Sequence, residues 1–193
     1  MTPLVVVLAA GQGRRFREVA GAGQDKLLAP CVGRDGHRRP VIEQVLRNLP
    51  AQFTRRLLVT TADRPGVASL ARTYGCQVLI VEPGGMGDSI AAAVALGPSA
   101  GGWLLVLGDM PFVLPASIEQ VAAALMPDSI AVPLHQGERG HPVGFGAGFG
   151  AALAGLSGDR GAKRLFASAR VAEVAVPDLG VLWDVDEPQA LVF

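Results

Sequence analysis

The sequence is short of four things, and each shortage removes a class of function. Cysteine is rare: Cys31 and Cys76 are the only two. They lie far apart in no metal-ligand spacing, which excludes a zinc fold or a disulfide scaffold and leaves two packing thiols of a reducing compartment. Neither charge is in excess: Lys+Arg and Asp+Glu number 17 each, a formal net charge of zero, whereas a nucleic-acid binder carries a basic surplus. No apolar run is long enough to span a bilayer. The opening Leu4–Ala10 run is short and has no basic residues before it, so it reads as a strand and not as a signal peptide. Repeats, linkers and low-complexity tracts are lacking as well. What remains is a chain of 193 residues, 50% hydrophobic. That is the material for one α/β domain over residues 1–193, with the cytoplasm as its default address.

Strand and helix signals alternate along the chain. Pro3–Leu8 is a continuous β-branched run of the kind that forms a central parallel strand. Residues 11–39 are rich in Gly and Arg and show no period. Pro40 opens VIEQVLRNL, with Val41, Val45, Leu46 and Leu49 on one helical face. Further strands are expected at Arg56–Thr61, Cys76–Glu82, Trp103–Leu107, Ser129–Leu134, His141–Phe145 and Val171–Val176. Helices are expected over 66–74, after an N-cap at Asp88 or Ser89, over Ala116–Met126 and over Gly161–Ala169, with a last turn at Glu187–Val192. Trp103 and Trp183 sit in apolar runs and read as core. This alternation predicts a mostly parallel sheet covered on both faces, with ligands beyond the carboxyl ends of its strands.

Two distinctive segments, AAGQGRR and GDMP, fall at that edge. Phosphate needs close backbone approach, free N–H donors and positive charge. Gly11 and Gly13 remove obstructing side chains, the turn can form an anion-binding nest, and Arg14, Arg15 and Lys26 supply charge. The same residues also fit a glycine turn bearing solvated arginines. The third glycine of a dinucleotide fingerprint and the Gly-Lys-Ser/Thr of a Walker A loop are both missing, which disfavours a dehydrogenase. Asp109, at a strand end, suits either a Mg²⁺ ligand completed by phosphate oxygens or a turn cap. Asp184 and Asp186, one residue apart, would face the same way on a strand and offer further carboxylates; Asp186 can instead cap the final helix. The glycines of GGMGDSI precede a helix start that suits an anion or a base. His141 can bind an acidic acceptor or act as a base, or be structural. Gly158 and Asp159 can touch a second substrate's phosphate or simply cap a helix.

Taken in order, LAAGQGRRF with DKLLAP, GGMGDSIAAAV, LGDMPFV, RGHPVGF, SGDRGAKRL and DVDEP resemble the MobA-like NTP transferases, and among them the molybdenum cofactor cytidylyltransferases. The resemblance covers Leu8 to Pro188. It implies a three-layer Rossmann-like nucleotidyltransferase fold, Mg²⁺ (or Mn²⁺) as cofactor, and attack of a phosphorylated acceptor such as a pterin on the α-phosphorus of CTP or GTP. CTP is favoured because Ala9-Ala10 looks like the cytidylyl branch, where the guanylyl branch tends to carry Ala-Gly-Gly. By the same resemblance the nucleotide falls to Leu8, Ala9, Ala10, Gly11, Gly13, Arg14, Arg15, Lys26, Gly87 and Ser89. The metal falls to Asp109 with Asp184 or Asp186. The acceptor falls to Met110, Pro111, His141, Pro142, Gly158 and Asp159. The chain departs from the family pattern in a longer loop over Arg17–Asp25 and a basic insertion over residues 34–39. Two other readings stay open: a sugar-phosphate or other small phosphorylated acceptor, and a non-catalytic nucleotide-binding maturation partner of molybdenum enzymes. A monomer and a homodimer fit equally.

Overall fold

The computed structural model describes residues 2–21, 23–97 and 101–193. Its sheet has eight strands. β1 (Leu4–Leu8) is central, flanked on one side by β4 (Arg56–Thr61) and then β5 (Gln77–Val81), and on the other by β6 (Trp103–Leu107). All four run parallel, in the register Val6 to Leu57 and Val6 to Leu105. Beyond β6 the pattern breaks. β9 (Val143–Phe145) inserts antiparallel between β6 and β7 (Ser129–His135), and β10 (Arg170–Ala175) then pairs parallel with β7. A short strand, β8 (Glu138–Arg139), folds back on β7 and returns the chain to start β9 near the carboxyl ends of β6 and β7.

Alternation along β1 explains the layering. Val5 and Val7 face one buried cluster, which takes Ile42, Val45 and Leu46 of α2 (Val41–Asn48), Val67 and Ala71 of α3 (Pro65–Thr73), and Ile118 and Val121 of α5 (Pro115–Ala123). Leu4 and Val6 face the other, which takes Ile90, Ala93 and Val94 of α4 (Met86–Leu96) and Leu153 of α6 (Gly150–Ala154). A strand apolar on both sides needs helices on both sides, and the three-layer, mostly parallel sheet follows. Among the described residues no helix is long and apolar enough to cross a membrane.

Several boundaries differ from the sequence expectation. The aperiodic stretch 11–39 contains a short helix, α1 (Arg14–Ala20), which buries only Phe16, and a hairpin of β2 (Pro30–Val32) and β3 (Arg38–Pro40). Neither Asp88 nor Ser89 caps α4. The helix starts at Met86 behind Gly85, and the Asp88 carboxylate reaches back to accept from the Gly85 N–H at 2.9 Å. The expected helix over Gly161–Ala169 is a 3₁₀ segment at Lys163–Ser168.

Candidate active site

The carboxyl ends of β1 and β6 lie side by side, joined by the Gly108 N–H donating to the Leu8 carbonyl at 2.9 Å. β1 releases the chain into Ala9–Gly13, and β6 releases it into Asp109. Among the described residues, the N–H groups of Ala10, Gly11, Gln12 and Gly13 donate to no protein acceptor, so four successive donors stay available for a ligand. Gly13 adopts a left-handed conformation (φ 59°), and a β-carbon there would lie 3.4 Å from the Lys26 side chain. The left-handed turn is what calls for glycine here; a β-carbon would only touch the lysine stem.

Lys26 is the hub. Only 9% exposed, it sends its ammonium to Asp109 at 2.5 Å and to Asp186 at 3.3 Å. Burial pulls its pKa down, but Asp109 and then Asp186 more than compensate and hold it above 10.5. Arg15, with a side chain 77% exposed, meets the other oxygen of Asp186 at 2.8 Å. Arg14 bonds Gln12 at 3.0 Å instead. The Asp184–Asp186 segment is held against β6 by the Val185 N–H donating to the Asp109 carbonyl at 2.8 Å. It is irregular backbone, not strand, so the two aspartates are not equivalent. Asp186 reaches Lys26 and does not cap the last turn, whose N-cap is Glu187. Asp184 has its carboxyl pushed up by burial and then by Asp186 and Asp109.

A second, buried network sets the loop's position and was not legible in sequence. Arg64, after β4, is 8% exposed. It donates to the Ala9 carbonyl at 2.9 Å and pairs with Asp25 at 3.3 Å, while Asp25 accepts from the Leu27 N–H. One arginine thereby fixes both the stem of the first loop and the residue next to Lys26. No local pattern announces such a partnership; only its place after a strand at the ligand edge hints at it.

Leu8, Ala9, Ala10, Gly11, Gly13, Lys26, Gly84, Gly85, Met86, Ser89 and Asp109 line one narrow slot. Gly87 faces elsewhere: its N–H donates to the Gly158 carbonyl at 2.8 Å. A β-carbon at Gly85 would lie 2.1 Å from the Gly158 backbone, and one at Gly87 2.9 Å from the Ser157 backbone. These glycines exist for backbone-to-backbone packing with loop 157–159, which Asp88 completes by accepting from the Gly158 N–H at 3.2 Å. Beside the slot opens a larger cleft of about 550 Å³ that includes His141. Burial lowers the His141 imidazole below 6.5, partly offset by Asp109. The other residues expected at the acceptor do not line these two spaces. Met110 is buried in the core, the Pro111 carbonyl accepts from Asn48, and Pro142, Gly158 and Asp159 line neither space. Two arginines of the basic insertion are spent internally: Arg34 pairs with buried Asp178 at 2.6 Å, and Arg39 with Asp35 at 2.9 Å.

The residues fit a divalent cation in a particular way. Among the described residues no three His, Cys, Asp or Glu side chains converge as a ready-made metal site. Asp109 and Asp186 nonetheless already share one positive charge, the Lys26 ammonium. A pair of carboxylates suits Mg²⁺, which takes few protein ligands and completes its shell with substrate phosphates and water.

A mostly parallel sheet with unspent amides, a buried lysine and paired aspartates at its carboxyl edge belongs to the nucleotidyltransferases. Residues 5–174 match the MobA-like NTP transferase domain, and the chain belongs to that family. It is 29% identical over 196 residues to the purine catabolism protein PucB of Bacillus subtilis strain 168, covering 95% of this chain and 91% of PucB. It superposes on Rv0371c of Mycobacterium tuberculosis H37Rv with a TM-score of 0.78 at 29% identity, covering 98% and 96% of the two chains. Rv0371c has also been crystallised in complex with manganese (TM-score 0.75, 28% identity, coverage 98% and 96%). The Methanothermobacter nucleotidyl transferase Mth528 shares the fold, with a TM-score of 0.80 at 22% identity and coverage of 98% and 94%.

Proposed function

We propose that this nucleotidyltransferase transfers a nucleoside monophosphate, CMP in preference to GMP, from a triphosphate to a phosphorylated acceptor of the molybdopterin kind and releases pyrophosphate. The observation that carries this reading is the Lys26 ammonium bound by Asp109 and Asp186 beside the unspent amides of Ala10–Gly13.

Asp109 and Asp186 would hold a Mg²⁺ or Mn²⁺ ion, which when bound neutralises phosphate charge and draws donor and nucleophile together. The chain's own residues do the rest. Ala10–Gly13 N–H groups receive phosphate oxygens at fixed positions. Lys26 and Arg15, now paired with carboxylates, have the charge to turn toward the β- and γ-phosphates and the departing pyrophosphate. Leu8–Ala10 and Gly84–Gly85 present backbone to the base, and Ala9-Ala10 favours the cytidylyl side of the family. Arg64 keeps the loop stem and Lys26 in register, and such alignment is most of what phosphoryl-type transfer requires of a protein. The acceptor phosphate is ionised at neutral pH, so no residue need act as its base.

The test is pyrophosphate release from each of the four ribonucleoside triphosphates with Mg²⁺ and molybdopterin. CTP should support turnover best. Release from none of the four would refute the assignment, while release with CTP and a sugar phosphate but not molybdopterin would move the acceptor.

A further inference from the structure

The larger cleft has chemistry that neither the donor nucleotide nor the metal uses. Leu105, Val132, Val143 and Phe145 form its floor on the sheet, and Phe166 faces Phe145 edge-on at 6.3 Å between ring centres. This floor offers no side-chain hydrogen bonds, so a polyol entering here would leave water without replacement partners, and each group buried unpaired weakens binding. The rim is cationic, and its cations are not equivalent. Arg139 is already committed to Glu173 at 2.7 Å. Arg160 and Lys163 line the same cleft, are exposed, and have no acidic partner among the described residues. Leu8, Met86 and Leu107 line both the slot and the cleft, so the two spaces adjoin.

We infer that this cleft selects an acceptor joining a flat ring, whose face can lie on the apolar floor, to an anionic group, that Arg160 and Lys163 hold the anion, and that it discriminates against sugar phosphates. The inference rests on the nucleotidyltransferase reading above and narrows its second substrate. Arg160 and Lys163 come from the SGDRGAK stretch, of which the sequence reading singled out Gly158 and Asp159. The structure gives Gly158 to packing against α4 and presents the next basic residues to the cleft.

The test titrates the full chain, preloaded with Mg²⁺ and the non-hydrolysable donor α,β-methylene-CTP, with 1-naphthyl phosphate and with glucose 1-phosphate. Naphthyl phosphate should bind at least roughly tenfold more tightly, and the double variant Arg160→Gln/Lys163→Gln should lose about tenfold or more of that affinity. Both side chains are exposed, so the variant should keep its melting temperature and its affinity for the CTP analogue. Phe166→Ala should weaken naphthyl phosphate and leave glucose 1-phosphate unchanged. Glucose 1-phosphate binding as tightly as naphthyl phosphate, or naphthyl phosphate indifferent to the double substitution, would overturn the inference while the donor site stands. A CTP analogue that fails to bind at all would overturn both.

Discussion

Two arginine-bearing segments near the start of the chain, Gly13–Arg15 and Arg34–Arg39, look alike in sequence, yet the fold uses them in opposite ways. Arg34 docks on Asp178, a carboxylate 1% exposed. Asp178 also accepts from the Leu114 N–H, the Ser117 hydroxyl and the Gly180 N–H. The Arg34 guanidinium stacks 4.2 Å from the Phe193 ring, so the hairpin is fastened to the C-terminal segment. Arg39 holds the Asp35 carboxyl down at about 2. Arg15, by contrast, stands in solvent and, among the described residues, pairs with Asp186 alone. The difference lies in the partner: a buried carboxylate with several donors makes an arginine part of the framework, and an exposed carboxylate beside a ligand slot leaves it free to change hands. Clustered basic residues in a sequence do not distinguish the two cases.

The comparison can be broken by substitution. Asp109→Ala should cut turnover by several orders of magnitude while the chain still folds, with a lower melting temperature because the buried Lys26 ammonium loses its nearer carboxylate, as read by pyrophosphate release and thermal unfolding; full activity with Mg²⁺ would remove Asp109 from the site. Lys26→Ala should lower kcat/KM at least roughly tenfold, the equivalent of about 1.4 kcal/mol of transition-state binding. Arg34→Ala should cost about 2–3 kcal/mol of stability, below the range for fully buried pairs because the guanidinium is partly exposed. Its turnover per folded molecule should stay normal. Arg15→Ala should do the reverse, staying within about 0.5 kcal/mol of wild-type stability while raising the KM for the triphosphate; a large stability loss would erase the contrast. The smallest effect concerns His141. Its pKa is below 6.5 in the folded chain, so the unfolded chain takes the proton first as pH falls. The stabilisation is complete above about 6.5 and declines below it. Between about pH 7.5 and about pH 5.5 the wild-type melting temperature should therefore fall more steeply than that of His141→Gln.

How far the sequence could be read depended on how locally each feature is encoded. β1, β4, β6 and α2 were legible because their burial shows in runs of adjacent residues. α1 was not, since RRFREVA buries only Phe16 and presents no apolar face. The β2–β3 hairpin has three-residue strands, too short for alternation to register, although its Asp35-Gly36 turn was a usable signal. The first loop, Lys26 and Asp109 stood out as a constellation, with Asp184 and Asp186 as undecided additions, and the structure brings Asp109 and Asp186 to Lys26. Their supports did not: Arg64 finds Asp25, and Arg34 finds Asp178, only after the sheet has placed distant segments side by side. The resemblance to the family gave the order of the motifs, but it could not tell that Gly158 belongs to Gly85 and Gly87.

That last pairing has a practical meaning for anyone who would redesign the enzyme. Loops 84–88 and 157–159 meet main chain to main chain, with no room for even a methyl group at Gly85, so each is the mould of the other. A graft that imports a new substrate preference by replacing the second loop alone would arrive without its counterpart. The two must be transplanted together, as one cassette drawn from a single parent.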